Sequence, residues 1–273
     1  MISLGLRILL IAIIGAILAG VTCSIIGVFV VRLKISSIGY AMSHAAFAGA
    51  ALGLLLDIDP LLIALLFSFI VALLIGPISD RSNLSPEVIL GIIFSLNIAL
   101  AFIFLSLLPT TAASISALSI LWGSILTITI DDLTYLSILT TIMISAIVLF
   151  FKEFYAILFN RKLAEADGIN TKPFYYAILF MAGATVSFSL KIIGGLLVFA
   201  LIVNPPSTIM QFSYDMKKII VLSPILGAIT CLIGFLLSLI TDFPVGSSIV
   251  IVSSLLFAIS VVVSPKRRVI VQH

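Results

Sequence analysis

Long uninterrupted apolar runs decide what this sequence can fold into. Two of them, Ile8–Val31 and Val88–Leu108, each match the about 20 residues that a helix needs to cross the hydrocarbon core of a bilayer. The chain is 62% hydrophobic and 9% charged, whereas soluble domains are roughly 45–50% apolar and 25% charged. The sequence therefore predicts an all-α fold: a polytopic bundle of membrane helices in the cell membrane, forming one domain over residues 1–273.

The apolar runs and the polar breaks between them predict about nine crossings. The first run is too long for the apolar part of a signal peptide, and no small-residue cleavage site follows it, so we expect it to be retained. A further piece, Ala113–Ile128, contains Trp122 and several serines, and it could be a tenth crossing or a re-entrant or interfacial helix. The nine predicted spans are residues 8–31, 36–56, 61–78, 88–108, 133–151, 173–190, 192–204, 219–241 and 246–264.

The distribution of basic residues favours a non-crossing Ala113–Ile128. If this piece does not cross, twelve of the fourteen lysines and arginines fall on one face, and only Arg7 and Lys191 fall on the other. If it crosses, the division becomes nine against five, which opposes the positive-inside tendency. We therefore expect an extracytoplasmic amino terminus and a cytoplasmic carboxy terminus. The net charge of +3 reflects this topology and does not indicate a nucleic-acid partner.

His44 is the one histidine, acidic or basic residue that lies well inside a predicted span. An imidazole in hydrocarbon is costly, so it normally faces protein or water. Two interpretations are open: a histidine hydrogen-bonded to a neighbouring helix, or a metal ligand or gate on a permeation path. Tyr40 shares its helical face. The small residues Ala45, Gly49 and Gly53 in the same span favour close helix packing.

The longest hydrophilic stretch, Lys152–Lys172, falls on the predicted cytoplasmic face. Its middle is typical of a short helix that is capped by Asn160 and ends at Gly168. This helix could be an ordinary surface element or a docking device. The sequence has no phosphate-binding glycine loop ending in Gly-Lys-Ser/Thr, so any ATPase must be a separate chain.

The remaining polar residues in apolar runs predict structure more than chemistry. Pro205 and Pro206 predict a sharp helix break near the cytoplasmic face. Asn97 predicts a hydrogen bond between helices, and Cys23 and Cys231 are expected to pack as small hydrophobic residues. No catalytic motif or paired intramembrane carboxylate is present, so we expect a protein that is not an enzyme.

Four segments, in this order, resemble the permeases of zinc- and manganese-type metal-ion ABC importers. They are "GYAMSHAAFAGAALG", "RKLAEADGI", "KIIGGLLVFALIVNPPSTI" and "DFPVGSSIVIVSSLLFAIS". The first resembles the family's Gly-Asp-Ala-x-Ser-His-Ala-x-x-x-Gly stretch, and the second its Leu-Ala-x-x-x-Gly-Ile segment. The matching positions are Gly39, Ala41, Ser43, His44, Ala45 and Gly49 in the first, and Leu163, Ala164, Gly168 and Ile169 in the second.

The resemblance implies a fold like that of the vitamin and siderophore importer permeases, with about eight or nine spans and a broken helix on the outer face. It implies a permease homodimer in membrane lipid, with a cytoplasmic ATP-binding cassette ATPase and an extracytoplasmic solute-binding protein. The second segment would be the coupling helix that docks on the ATPase. ATP would be used by that partner, the divalent metal would be the substrate, and this chain would bind no cofactor.

Tyr40 occupies the position at which the resembled family usually has an aspartate. The hard oxygen donor that would join His44 is therefore missing, and an imidazole without one favours zinc over manganese. A phenol would complete such a site only weakly. The alternatives are a stand-alone secondary transporter, which should show intramembrane carboxylates and inverted repeats, or an ABC permease for a non-metal substrate.

Overall fold

The computed structural model describes residues 2–108 and 128–265 and confirms the all-α bundle, since these two ranges contain helices and no strands. Eight helices in them are long and apolar enough to cross a membrane, and Leu197–Phe212 is a shorter apolar helix. The helices are α1 (Ile2–Arg32), α2 (Ile38–Leu55), α3 (Pro60–Ser82), α4 (Pro86–Ser106), α5 (Ile130–Leu149), α6 (Phe151–Ala166), α7 (Thr171–Ile193), α8 (Gly195–Phe212), α9 (Met216–Thr241) and α10 (Val245–Val263).

The predicted spans coincide with these helices to within a few residues at most of their ends, and the seventh differs most. The segment predicted at 192–204 begins at Gly195 and continues as α8 to Phe212, with Pro205 and Pro206 inside it. The predicted helix break at the two prolines is therefore wrong. Sequence reasoning counted the backbone donors that proline removes and missed a hydroxyl on α1 that compensates for one of them.

Helix α1 supplies that compensation. Pro205 cannot donate to the carbonyl oxygen of Leu201, and the hydroxyl of Ser24 donates to that oxygen instead, at 3.3 Å. Pro206 also frees the carbonyl of Ile202, which lies close to Gly27, where any Cβ atom would collide with it; this is a close approach and not a hydrogen bond. A helix can contain prolines in a membrane when neighbouring groups satisfy the freed carbonyls.

Small residues on α2 allow α3 to approach closely, as predicted. A Cβ atom on Gly49 would lie 2.6 Å from the carbonyl oxygen of Ile63, and one on Gly53 would lie 2.7 Å from the Cα atom of Pro60. Helices α1, α2 and α7 are mostly buried, whereas α4, α5 and α10 expose broad apolar faces. The exposed faces are those that a lipid environment covers.

Contacts between helix ends define one face of the bundle. The end of α1 meets α6, because Arg32 Nε donates to the carbonyl of Leu158 at 3.1 Å. The start of α2 meets the start of α4, because the backbone N–H of Ser37 donates to Glu87 Oε1 at 3.3 Å. Since α2 begins just after α1 ends, and α6 just after α5 ends, these helix ends share a face.

Helix α4 must therefore end, and α5 must begin, on the opposite face. This is the arrangement predicted from the basic residues. The predicted non-crossing piece, Ala113–Ile128, lies outside the described residues except for Ile128 itself. The positive-inside tendency identifies the face that carries Arg32 and α6 as the cytoplasmic one.

Candidate functional site

The two residues singled out on α2 lie together. Tyr40 and His44 are one turn apart, with ring centroids 5.0 Å apart and planes at 77°. Tyr40 is 37% exposed, and His44 is half-buried. Tyr40 is therefore accessible from outside this single chain.

Two phenylalanines from other helices complete a four-ring cluster. Phe94 of α4 stacks on Tyr40 with centroids 4.1 Å apart, and it meets His44 edge-on at 4.8 Å. Phe199 of α8 lies 5.8 Å from Tyr40. Sequence reasoning missed both phenylalanines, because one more Phe among 19 in an apolar chain carries no signal of its own.

The imidazole of His44 has an unused polar atom. Its Nδ1 is buried and has no hydrogen-bond partner, whereas buried polar atoms in proteins nearly always have one. The hydrogen bond to a neighbouring helix that one of the two interpretations requires is therefore not made by this nitrogen. An imidazole nitrogen is a good ligand for zinc and other transition metals, and this one is not occupied by another partner.

The cluster does not form a metal cage by itself. Within the two ranges that the structure describes, no three His, Cys, Asp or Glu side chains come together in a way that could hold a metal ion. The cluster itself contains one imidazole, with the phenol of Tyr40 beside it. A single ligand binds weakly and releases readily, which suits passage more than storage.

Ser43 connects the ring cluster to the junction of α7 and α8. Its hydroxyl lies 2.7 Å from the carbonyl oxygen of Gly39 and 3.2 Å from that of Gly195. The two helices meet at Gly194, whose φ of +81° is costly for residues with a Cβ atom. Movement at this junction would therefore reach the residue next to His44.

The cytoplasmic segment has the predicted ends. Helix α6 is interrupted at Asn160, which has extended backbone angles and whose Oδ1 accepts from the N–H groups of Lys162 and Leu163 at 3.0 and 3.4 Å. At the other end, Gly168 has a φ of +83°. Ile169 N–H donates to the carbonyl of Ala164 at 3.0 Å. We call Arg161–Ala166 the cytoplasmic helix.

The four predicted docking residues do not all face outward. Leu163 is 55% exposed, which is unusual for a leucine on a cytoplasmic surface, whereas Ala164 is 3% exposed and faces the bundle. Gly168 is exposed and Ile169 is half-buried. Leu163 is therefore the side chain among them that can enter a partner's groove.

A profile described as "ABC 3 transport family" matches residues 6–264, which is nearly the whole chain. The chain belongs to the ABC 3 transport family. Curated relatives include a "Manganese transport system membrane protein MntC" of Listeria monocytogenes, 30% identical over 94% of this chain and 90% of that protein. A "High-affinity zinc uptake system membrane protein ZnuB" of Haemophilus influenzae is 28% identical over 90% of this chain and 95% of that protein.

A solved structure from the same family of folds extends the likeness to three dimensions. The structure titled "PsaBC from Streptococcus pneumoniae in complex with Fab" aligns over 98% of both chains with a TM-score of 0.82 and 27% identity. The chain of this ABC 3 family member therefore has the predicted importer-permease fold, and it is a multi-pass protein of the cell membrane.

Two asparagines in this ABC 3 family member make different kinds of hydrogen bond. Asn97 donates to the carbonyl of Ile93 in its own helix at 2.8 Å. The bond therefore runs within α4, whereas the sequence predicted a bond between helices. Asn204 instead joins α8 to α10, donating to the hydroxyls of Ser253 and Ser254 at 2.9 and 3.3 Å.

Proposed function

We propose that this chain is the membrane-spanning permease subunit of an ATP-driven importer for divalent metal ions, with zinc preferred to manganese. The observation that carries the proposal is the buried, unpartnered Nδ1 of His44 in a chain whose relatives are named as manganese and zinc permeases. A ring nitrogen without a partner in the middle of a transport protein is where a cation can bind in passing.

The donor atoms favour zinc. Neutral imidazole is a common zinc ligand, whereas manganese prefers carboxylate and other hard oxygen donors. Tyr40 contributes a phenol in place of the aspartate that the resembled family usually has. The surrounding Phe94 and Phe199 rings offer no competing ligand, so selectivity at this point rests on the nitrogen of His44.

The four-ring cluster also suits a constriction. Aromatic walls contact a cation through their faces and exclude much of its hydration shell, so the ion has a reason to bind His44 and no second strong ligand to retain it. Conduction requires this balance between entry and release. The exposed side of Tyr40 faces outward from the chain, where a second permease copy would close the path.

The partners follow from what this chain does not carry. The sequence lacks a nucleotide-binding glycine loop, so ATP hydrolysis belongs to a cytoplasmic ATP-binding cassette ATPase docked on the cytoplasmic helix through Leu163. A solute-binding protein on the extracytoplasmic face would deliver the metal. The permease would work as a homodimer in membrane lipid, as a transport subunit and not as an enzyme.

Reconstitution tests the proposal against its rivals. The permease and its ATPase are placed in sealed vesicles, with the ATPase and ATP in the lumen and the binding protein and metal outside. These vesicles should accumulate zinc, and manganese more slowly. Accumulation driven by a proton or sodium gradient without ATP would indicate a secondary transporter. ATP hydrolysis stimulated by the binding protein with neither metal transported would indicate an ABC permease for a non-metal substrate.

A further inference from the structure

A set of polar contacts joins the cytoplasmic helix to the first turns of α7. The Nε of Arg161 donates to Glu165 Oε1 at 3.2 Å and lies 3.1 Å from Thr171 Oγ1. The hydroxyl of Thr171 in turn donates to Glu165 Oε1. Thr171 is only 1% exposed, so this contact involves a buried residue of the bundle and not only surface residues.

One turn further along α7, the ring of Tyr175 takes part through its face. The guanidinium carbon of Arg161 lies 4.6 Å from the ring centroid, within the range of a cation–π contact. Tyr175 is 6% exposed, and its hydroxyl is buried without a hydrogen-bond partner. Arg161 therefore uses the ring of Tyr175, and the hydroxyl contributes no bond to the contact.

The charges needed for these contacts are present at neutral pH. The hydrogen bond from Thr171 and the nearby guanidinium of Arg161 hold the pKa of the Glu165 carboxyl below its usual range. The ion pair therefore persists at neutral pH and is lost only as the pH falls through that lowered pKa. An exposed ion pair alone contributes little to stability. The guanidinium of Arg161, however, also contacts the buried hydroxyl of Thr171 and the buried ring of Tyr175.

Helix α7 carries this connection to the His44 site. It runs without a break from Thr171 to Ile193, which is about 34 Å at 1.5 Å per residue. Just beyond its far end, across the Gly194 junction, the carbonyl of Gly195, the first residue of α8, accepts from Ser43, the residue before His44. A continuous helix tends to move as a unit, since packed elements switch between discrete arrangements more readily than they deform, so a shift at the start of α7 would reach the junction that Ser43 contacts.

We propose that Arg161, Thr171 and Tyr175 are positioning residues, together called the α7 clamp, which pass a displacement of the cytoplasmic helix along α7 to Ser43 and the His44 site. The inference rests on the proposed function, because it assumes that an ATPase moves the cytoplasmic helix. It assigns the route of that movement to α7. The clamp touches neither the transported ion nor nucleotide.

The test measures transport and ATP hydrolysis in the same reconstituted complex. Arg161→Gln should leave co-purification with the ATPase and the rate of ATP hydrolysis near wild type, while zinc transported per ATP falls about fivefold, within the range of single positions on a coupling route. Lys152→Gln, which removes an exposed charge from α6 outside the cytoplasmic helix, is the control and should transport normally.

A pair of substitutions at one position separates the ring from the hydroxyl. Tyr175→Phe keeps the ring face and should retain transport per ATP, whereas Tyr175→Leu should lower it as Arg161→Gln does. Arg161→Gln and Tyr175→Leu together should be no worse than Arg161→Gln alone, because Arg161→Gln already removes the contact with the ring of Tyr175. If Arg161→Gln fails to assemble, the Tyr175 pair decides the matter.

Two results would overturn the clamp. One is unchanged zinc per ATP in Tyr175→Leu, and the other is a parallel loss of hydrolysis and transport in both variants, which would indicate a merely structural role. These failures differ from failure of the proposed function, in which the wild-type complex itself would not accumulate metal and no ratio could be measured.

Discussion

The imidazole of His44 lies edge-on to the phenol of Tyr40, with ring centroids 5.0 Å apart on one face of α2. This pair stands where the resembled family would place a histidine and an aspartate. Tyr40→Asp should therefore create a nitrogen–carboxylate pair and raise manganese uptake relative to zinc several-fold, because a hard oxygen donor suits manganese. Uptake of both metals by vesicles containing the full complex measures this ratio.

Tyr40→Phe is the control for that substitution. It keeps the stacking of the ring on Phe94 and removes only the hydroxyl, so zinc uptake should remain close to wild type if His44 supplies the main ligand. An unchanged metal ratio in Tyr40→Asp, with both uptakes intact, would show that residue 40 does not meet the ion.

The exposed leucine of the cytoplasmic helix predicts where the ATPase docks. Leu163→Glu should leave the permease folded in the membrane but remove its co-purification with the ATPase, because a charge would replace an apolar anchor in a partner's groove. Ala164 faces the bundle, so Ala164→Glu should reduce folding itself. Equal co-purification of wild type and Leu163→Glu would place the interface elsewhere.

The contact between Ser24 and Leu201 predicts a specific rescue. Ser24→Ala leaves the Leu201 carbonyl without a donor and should destabilise the protein by about 1 kcal/mol. Pro205→Ala restores a backbone N–H to the same carbonyl, so the double variant should regain most of that loss. Thermal unfolding in detergent measures the cycle, and additive losses in the double variant would contradict the compensation.

Cysteine labelling tests the predicted topology. The native Cys23 and Cys231 are both buried, so background reaction should be low. Single cysteines at Arg81 and Asn160 should be protected from an impermeant reagent added outside intact cells, whereas one at Asp131 should react. All three positions are exposed in the structure. Outside labelling at Arg81 with protection at Asn160 would contradict the arrangement of the helices.

Sequence reasoning predicted the features that depend on local chemistry. Span positions follow from apolar length, the cap at Asn160 and the turn at Gly168 follow from side-chain preference, and Gly49 and Gly53 follow from the need for close packing. It could not predict features that require a second helix. Ser24 compensates for Pro205 from 181 positions away, so the predicted break did not occur.

The candidate site likewise contains one residue that the sequence predicted and others that it did not. His44 stands out because a polar ring in an apolar span is costly, but its neighbours Phe94 and Phe199 come from other helices and look like ordinary apolar residues. The α7 clamp could not be predicted either, since nothing in the sequence places Arg161 over the ring of Tyr175. Pairing across helices is a property of the packed bundle.

The most direct measurement is ATP-driven zinc uptake by the His44→Ala complex, compared with wild type and with His44→Gln. If Nδ1 of His44 binds the passing ion, both variants should lose at least about tenfold in uptake, because an amide replaces the hydrogen-bonding capacity of imidazole but not its affinity for zinc. Both should still assemble with the ATPase. Normal uptake by His44→Gln would make His44 a packing residue, and full activity of His44→Ala would contradict its place on a metal path.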